Sequence, residues 1–322
     1  MSDLKKFAIL HPLQPQQLLR FQETFPDIEF LHSNDRIPAG FELAEAAAIH
    51  WTVKNVPEVA AAGTNLKWLH IRGTGIDYFN PEILRQRQIA LTNGAGNHAP
   101  NIAEHVLAMM FSFARKIPHF VRAQERKSWE PVGADRVFEI SGQNLLVIGL
   151  GSIGLEVAKR AKALGMQVTG VQRQVEGAHF TAVDVLIALD DLDSALAIAD
   201  HVVLALPLTP ETKGLFNAER LSHVKEGAYL YNVGRGQVID HGALFRALVN
   251  GHIGGAGLDV TDPEPLPCDS PLWDLQNVIL TAHTAGATPR SYDRFEALVM
   301  ENIHRFLEGR PLLNVVNLTS GY

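Results

Sequence analysis

The chain has 322 residues, 46% hydrophobic and 20% charged, with 28 Lys plus Arg against 35 Asp plus Glu and a formal charge of -7. That length exceeds the usual size of one hydrophobic core, so two domains are expected, and the apolar content excludes the disordered and fibrous classes. The acidic balance offers no field for a polyanion, which argues against nucleic acid as a partner.

A single cysteine, Cys268, cannot form an intramolecular disulfide. It reads as a passive thiol in a Pro-rich loop and points to a reducing, cytoplasmic setting. The N-terminal MSDLKKFAIL lacks a long apolar stretch with a small-residue cleavage site, and charges interrupt every apolar run. Neither an export signal nor a membrane span is expected. The 14 histidines show no HExxH and no paired-cysteine spacing, so no metal is expected.

In chain order, short apolar strands are predicted over 7–10, 28–31, 46–51 and 66–71, alternating with helical stretches. That is a small α/β unit. Asn93-Gly94-Ala95-Gly96-Asn97 supplies turn chemistry before a long helix in which Ile102, Val106, Met109, Met110, Phe113 and Ile117 share one face. Because Ala103, Leu107, Phe111 and Ala114 make much of the remainder apolar, that helix must be covered nearly all round, between domains or across a dimer interface.

From about 141 the alternation restarts, with strands predicted near 144–148, 167–171, 201–206, 228–233, 254–260 and 277–280. Strands joined by helices make a parallel, doubly wound sheet, a Rossmann cofactor domain beside a smaller flavodoxin-like α/β domain. A last amphipathic helix after 288 ends at Gly309, and the tail from Pro311 is expected to return to the first domain. The expected division is therefore 1–98 with 290–322 for a discontinuous substrate-binding domain, and 99–289 for the dinucleotide-binding domain.

Leu145-Leu146-Val147-Ile148 runs straight into Gly149-Leu150-Gly151-Ser152-Ile153-Gly154, and a helix follows. Gly149 permits the tight turn, Gly151 lets backbone approach a pyrophosphate, and Gly154 lets helix and strand pack closely, while the helix N-terminus offers N–H groups to the phosphates. The second strand ends at Gln172-Arg173, where an NAD site usually places a carboxylate for the ribose hydroxyls. Gln172 does not repel a 2′-phosphate and Arg173 can pair with one, so NADP is the expected cofactor, with NAD also possible.

Three further strand ends carry polar groups. Tyr231-Asn232-Val233-Gly234-Arg235-Gly236 presents a glycine-flanked cation suited to grip a substrate carboxylate and polarise its keto oxygen. Gly257-Leu258-Asp259-Val260 leads into a Pro-rich loop with Glu264, and Ile279-Leu280-Thr281-Ala282-His283 ends on an imidazole. Histidine is the natural proton donor near neutral pH, and Glu264 is the candidate carboxylate to orient it and favour its protonated form.

Taken together and in this order, from Arg72-Gly73-Thr74-Gly75-Ile76-Asp77 through Gly286, these stretches resemble the D-isomer-specific 2-hydroxyacid dehydrogenase family. The resemblance implies that Arg235, Glu264 and His283 are the catalytic trio and that Asp259 contacts the nicotinamide side. It further implies that backbone at Thr74 and Gly75 holds the substrate carboxylate, and that Pro207 and Thr212 line the cofactor, with Val233, Gly234, Ala285 and Gly286 beside it. The strand end with Trp51 looks like the pocket wall of glyoxylate and hydroxypyruvate reductases; a core tryptophan is the competing reading. The family is usually dimeric, so a homodimer is expected.

Asn101 where many relatives carry Ser or Thr, Ala282 where Pro is common, and Thr261-Asp262 for a more usual Phe-Glu pair are departures that remove no catalytic group. The expected reaction is hydride transfer from NAD(P)H to a small 2-keto acid, giving a D-2-hydroxy acid, with His283 and Arg235 also contacting substrate. The alternative is a cofactor-sensing regulatory protein of the same fold.

Overall fold

The computed structural model describes residues 4–50 and 56–318, which divide into two compact units, Met1–Asn97 with Thr288–Tyr322 and His98–Ala287. The first unit opens with β1 (Lys6–Leu10), α1 (Pro15–Thr24), β2 (Glu29–Ser33), β3 (Ala46–Ile49), α2 (Val56–Ala62), β4 (Trp68–Ile71), α3 (Glu82–Gln86) and β5 (Ala90–Asn93). Its strands run parallel in the order β2-β1-β3-β4-β5, the flavodoxin-like winding, with the order reversing between β1 and β3.

A parallel sheet is buried on both faces, which is why β3 and β4 read as unbroken runs, Ala-Ala-Ala-Ile and Trp-Leu-His-Ile. Leu10, Ile49, Leu69 and Ile71 meet Val56, Val59 and Leu84 from α2 and α3 on one face. Phe7, Ile9, Ala48 and Trp68 point to the other, against Phe21 of α1. The expected strand over 46–51 stops at Ile49, and Trp51 lies outside the described residues. Strand β5 has no counterpart in the sequence reading: Ala-Leu-Thr-Asn is too short and too polar to stand out, and it forms by pairing with β4.

The second unit begins with α4 (Ala99–Ala114) and α5 (Ile117–Glu125), then runs β6 (Asn144–Ile148), α6 (Ser152–Ala163), β7 (Gln167–Val171), β8 (Val185–Ile187), α7 (Leu192–Leu196), β9 (His201–Leu204), α8 (Ala218–His223), β10 (Ala228–Asn232), α9 (His241–Val249), β11 (Ile253–Leu258) and β12 (Val278–Leu280). Its parallel strands lie in the order β12-β11-β10-β9-β6-β7-β8, the doubly wound arrangement with its switch point between β6 and β9. Like β5, the three-residue strand β8 escapes periodicity.

The single helix expected over 102–117 is two helices. Lys116 turns left-handed at φ 55° and α5 starts at Ile117, because Pro118 has no N–H to continue the ladder of α4 but is tolerated in the first turn of a new helix. Most of the apolar surface of α4 is covered within its own unit: Ala103, Val106, Met110 and Phe113 share a core with Val157, Ala158 and Ala161 of α6 and with Tyr231 of β10. Phe111 remains exposed.

The last helix, α10 (Pro289–Glu308), belongs to the first unit, where Phe295, Val299 and Ile303 cover the Phe7/Trp68 face. Gly309, at φ 68°, caps it. Beyond it, Val316 N–H donates to Leu91 O at 2.8 Å beside an antiparallel bridge between Thr92 and Val315, tying the tail to β5. Among the described residues, no helix is long and apolar enough to cross a membrane.

Candidate active site

The glycine loop leaves β6 at Gly149, whose φ of 96° suits a residue without Cβ; a Cβ there would stand 2.7 Å from Ala205 O. At Gly154 a Cβ would stand 2.0 Å from Gly149 O, so the close seating of α6 on β6 requires glycine. A Cβ at Gly151 meets nothing within 4 Å, so the space in front of the loop is open. No side chain caps α6, whose N-cap is Gly151, and its first-turn N–H groups at Ser152 and Ile153 remain available to an anion. These features fit a dinucleotide pyrophosphate.

Past β7, Gln172 Nε2 donates to Gln174 O at 3.1 Å, and exposed Arg173 stands 3.5 Å from Glu211 Oε2. The Glu211 carboxyl is held below its usual range by the hydrogen bond from Thr209, with Arg173 a smaller cause. In the same loop Thr212 Oγ1 donates to Pro207 O at 2.7 Å and accepts from Thr209 N–H at 2.8 Å, closing the 207–212 segment on itself.

Strands β10, β11 and β12 are neighbours, with Tyr231 opposite Gly257 and Gly257 opposite Ile279. Arg235, Asp259 and His283 therefore follow adjacent strand ends. Asn232 shapes the first of these turns, accepting from Gly234 N–H at 3.0 Å and donating to Arg235 O at 2.9 Å. The flanking glycines serve packing: a Cβ on Gly234 would stand 2.6 Å from Leu206 O, and one on Gly236 2.0 Å from Thr261 O. Val233 N–H donates to Leu204 O at 3.1 Å, and Arg235 Nη1 donates to Gly234 O at 2.9 Å, leaving the half-buried guanidinium along this edge.

His283 has φ 52°, a left-handed conformation that costs a non-glycine residue of order 1 kcal/mol and persists only where neighbours impose it. Buried Asp259 imposes it. Its carbonyl accepts the His283 N–H at 2.8 Å, and its carboxylate accepts Thr281 Oγ1 at 2.6 Å, Thr284 N–H at 3.0 Å and Ala285 N–H at 3.1 Å. On the other side of the turn, α4 donates His98 Nδ1 to Gly286 O at 2.9 Å and Asn101 Nδ2 to Ala285 O at 2.6 Å. His105 Nε2 lies 3.0 Å from Thr281 Oγ1; since that hydroxyl gives its proton to Asp259, the imidazole is the donor.

Glu264 Oε1 meets His283 Nδ1 at 2.6 Å, both side chains about half exposed. A carboxylate only accepts, so Nδ1 carries a proton and Nε2 is the ring atom facing away from Glu264. Sequence reasoning missed the supports of this turn. Their signal was present: the N-cap His98 and then Asn101 and His105 fall at helical spacing on one face of a largely apolar helix.

In the first unit, Thr74 and Gly75 follow β4. Asn93 Nδ2 donates to Thr74 O at 2.9 Å and Gly94 N–H to Gly73 O at 2.9 Å, fixing the loop. Among the described residues, the N–H groups of Thr74 and Gly75 donate to no protein acceptor. Trp51, the expected pocket wall, lies outside the described residues.

Residues 107–285 match the family model described as "D-isomer specific 2-hydroxyacid dehydrogenase, NAD binding domain". The chain is 35% identical over 276 residues to D-3-phosphoglycerate dehydrogenase of Archaeoglobus fulgidus, covering 86% of this chain and 52% of that one. It thus spans about half the length of the first curated relatives it matches. With glycerate dehydrogenase of Methylorubrum extorquens it shares 32% identity over 310 residues, 90% of this chain and 91% of the relative. The solved D-isomer specific 2-hydroxyacid dehydrogenase of Xanthobacter autotrophicus Py2, in complex with NADPH and MES, is similar at a TM-score of 0.84 and 31% identity, covering 99% of this chain and 100% of that one.

Proposed function

Since the chain belongs to the D-isomer-specific 2-hydroxyacid dehydrogenase family, we propose that it reduces a small 2-keto acid to a D-2-hydroxy acid with a nicotinamide cofactor. The observation that carries this reading is the 2.6 Å pair of His283 and Glu264 on the same sheet edge as Arg235, in a unit whose β6 opens into an uncapped glycine loop.

Gly149, Gly151, Ser152, Ile153 and Gly154 would hold the pyrophosphate by backbone, with Pro207, Thr212, Val233, Gly234, Asp259, Ala285 and Gly286 along the rest of the dinucleotide. A bound nicotinamide supplies the hydride. Arg235 pairs with the substrate carboxylate and draws electron density toward the keto oxygen; in the first unit, the backbone N–H groups of Thr74 and Gly75 are the candidate carboxylate donors. His283 Nε2 delivers the proton to the alkoxide, while Glu264 keeps the opposite ring nitrogen protonated and the ring oriented.

NADP is the preferred cofactor in this reading, because Gln172 and Arg173 present no carboxylate at the end of β7 and Arg173 is exposed enough to turn from Glu211 to a 2′-phosphate. The X. autotrophicus relative carries NADPH. A homodimer is supported by the apolar surface of Phe111, Ile117, Phe120 and Val121, together with Trp129, 97% exposed. The exposed free thiol of Cys268 suits a reducing, cytoplasmic setting.

The test is consumption of NADPH and NADH with glyoxylate, hydroxypyruvate, pyruvate and bulkier 2-keto acids. Turnover with at least one is expected, and His283→Ala should lower kcat by about 10²-fold or more with cofactor affinity nearly unchanged. No turnover on the whole panel, or a His283→Ala variant as fast as wild type, refutes the reading.

A further inference from the structure

Arg72 is the first residue past β4, at the carboxyl edge of the first unit's sheet, and is 7% exposed. Sharing the parity of Trp68 and His70, it faces α1 and α10 rather than α2 and α3. There Nη1 donates to His50 Nε2 at 2.8 Å and Nη2 to Ser291 Oγ at 2.9 Å, and the guanidinium carbon stands 4.0 Å from the centre of the Tyr292 ring. Nε has no partner among the described residues, and no carboxylate is among the groups that act on this cation. The nearby acids of α10, Asp293 and Glu296, act on Arg20 instead.

Among the described residues, the groups that act on Arg72 include no carboxylate, and the surroundings add positive potential. Ser291 and Tyr292 belong to the first turn of α10, a 20-residue helix with no acidic residue in that turn, so its positive end points here. His11 stacks on His50 at 4.8 Å and 9° and on Tyr292 at 5.6 Å and 19°, with neither ring nitrogen hydrogen-bonded among the described residues. Burial holds the His11 and His70 pKa values down to about 3, so both rings are neutral and leave the guanidinium as the cluster's charge. Burial of a guanidinium without a carboxylate is strongly unfavourable, and arginine does not relieve it by losing its proton. Its position has a meaning of its own: His11 and His50 follow β1 and β3, the two strands between which the sheet order reverses, where open parallel sheets receive ligands.

We propose that Arg72 recognises a second anionic group, carboxylate or phosphate, at the far end of the 2-keto acid. This rests on the reading above, in which the backbone of Thr74 and Gly75 takes the first carboxylate. Arg72 precedes Thr74 by two residues, on the same segment that leaves β4. Arginine's fork suits either anion, and the planar stack of His50, His11 and Tyr292 holds the fork in one orientation.

The experiment compares kcat/KM of wild type, Arg72→Met and Arg72→Lys at fixed ionic strength on oxaloacetate, 2-oxoglutarate and 3-phosphohydroxypyruvate against pyruvate and 2-oxobutyrate. Wild type should favour a substrate of the first set by at least ~10-fold, and Arg72→Met should lower that kcat/KM by about 10²-fold, mainly through KM, with pyruvate changed less than ~3-fold. Arg72→Lys should regain part of the loss. Carboxylate and phosphate as the natural group are separated by which member of the set leads. Equal losses on both sets, or a wild type with no preference, overturn the proposal.

If no keto acid is reduced at all, the reaction reading fails separately. The Arg72 site is then tested by thermal shift: malonate or inorganic phosphate, against matched chloride, should raise the wild-type midpoint more than that of Arg72→Met or, should that variant not fold, of Arg72→Lys. Equal shifts overturn the site.

Discussion

Replacing Asp259 by alanine tests how the turn carrying His283 is held. The carboxylate, 4% exposed, accepts Thr281 Oγ1, Thr284 N–H and Ala285 N–H, and His105 Nε2 stands 3.9 Å away. Each hydrogen bond to a charged acceptor contributes about 1.5–3 kcal/mol, and truncation leaves two backbone donors without an acceptor. Relief from keeping a carboxylate out of water offsets part of this, so Asp259→Ala should cost about 3–5 kcal/mol locally.

Asp259→Asn keeps one oxygen for Thr281 and Thr284 but turns an NH2 toward Ala285 N–H, where Oδ2 now accepts at 3.1 Å; about 1–2 kcal/mol is expected. Native-state hydrogen exchange at Thr284 and Ala285 reads these values, because local opening is what changes. With the turn loosened, His283 relaxes from its left-handed backbone, and kcat should fall in the same order, alanine below asparagine below wild type. Identical protection in both variants, or a loss under about 1 kcal/mol for alanine, would refute the account of Asp259 as the holder of this turn.

Gly154→Ala should weaken NADPH binding by at least ~10-fold in a fluorescence titration, since its Cβ would stand 2.0 Å from Gly149 O and α6 must retreat from the loop; unchanged affinity counts against the backbone cradle. Arg173→Asp should reverse the preference of NADPH over NADH, and retention of the preference would show that the 2′-phosphate is read elsewhere. Fully buried His70 has its pKa lowered to about 3, so it is neutral in the fold while the unfolded chain takes up a proton below 6.5. Its contribution to stability is present above that pH and is lost as pH falls toward 3, about 2 kcal/mol of it between pH 6.5 and pH 5. Denaturant unfolding followed in the first unit should show this slope, reduced in His70→Asn; parallel pH profiles for the two proteins would exclude His70 as its source.

Local chemistry was legible where a residue's neighbours in the chain are also its neighbours in space. The β6 strand, the glycine loop and α6 form one continuous stretch, so the turn at Gly149 and the close seating at Gly154 could be read from spacing. The break at Lys116 was legible too, in Pro118, although the apolar stripe runs through it. Strands β5 and β8 were not, because three or four residues carry no period and take their conformation from a partner strand.

By itself the sequence determined the parallel doubly wound class, through apolar runs that only a sheet covered on both faces can bury, and the strand ends that carry Arg235, Glu264 and His283. Tertiary structure alone decided which groups hold them. His98, Asn101 and His105 come from a helix some 180 residues before the turn they support. Arg72 meets Ser291 across 219 positions. Hydrogen bonds and ring stacking act over a few ångströms and are indifferent to separation along the chain, so these partnerships exist only once each unit has folded.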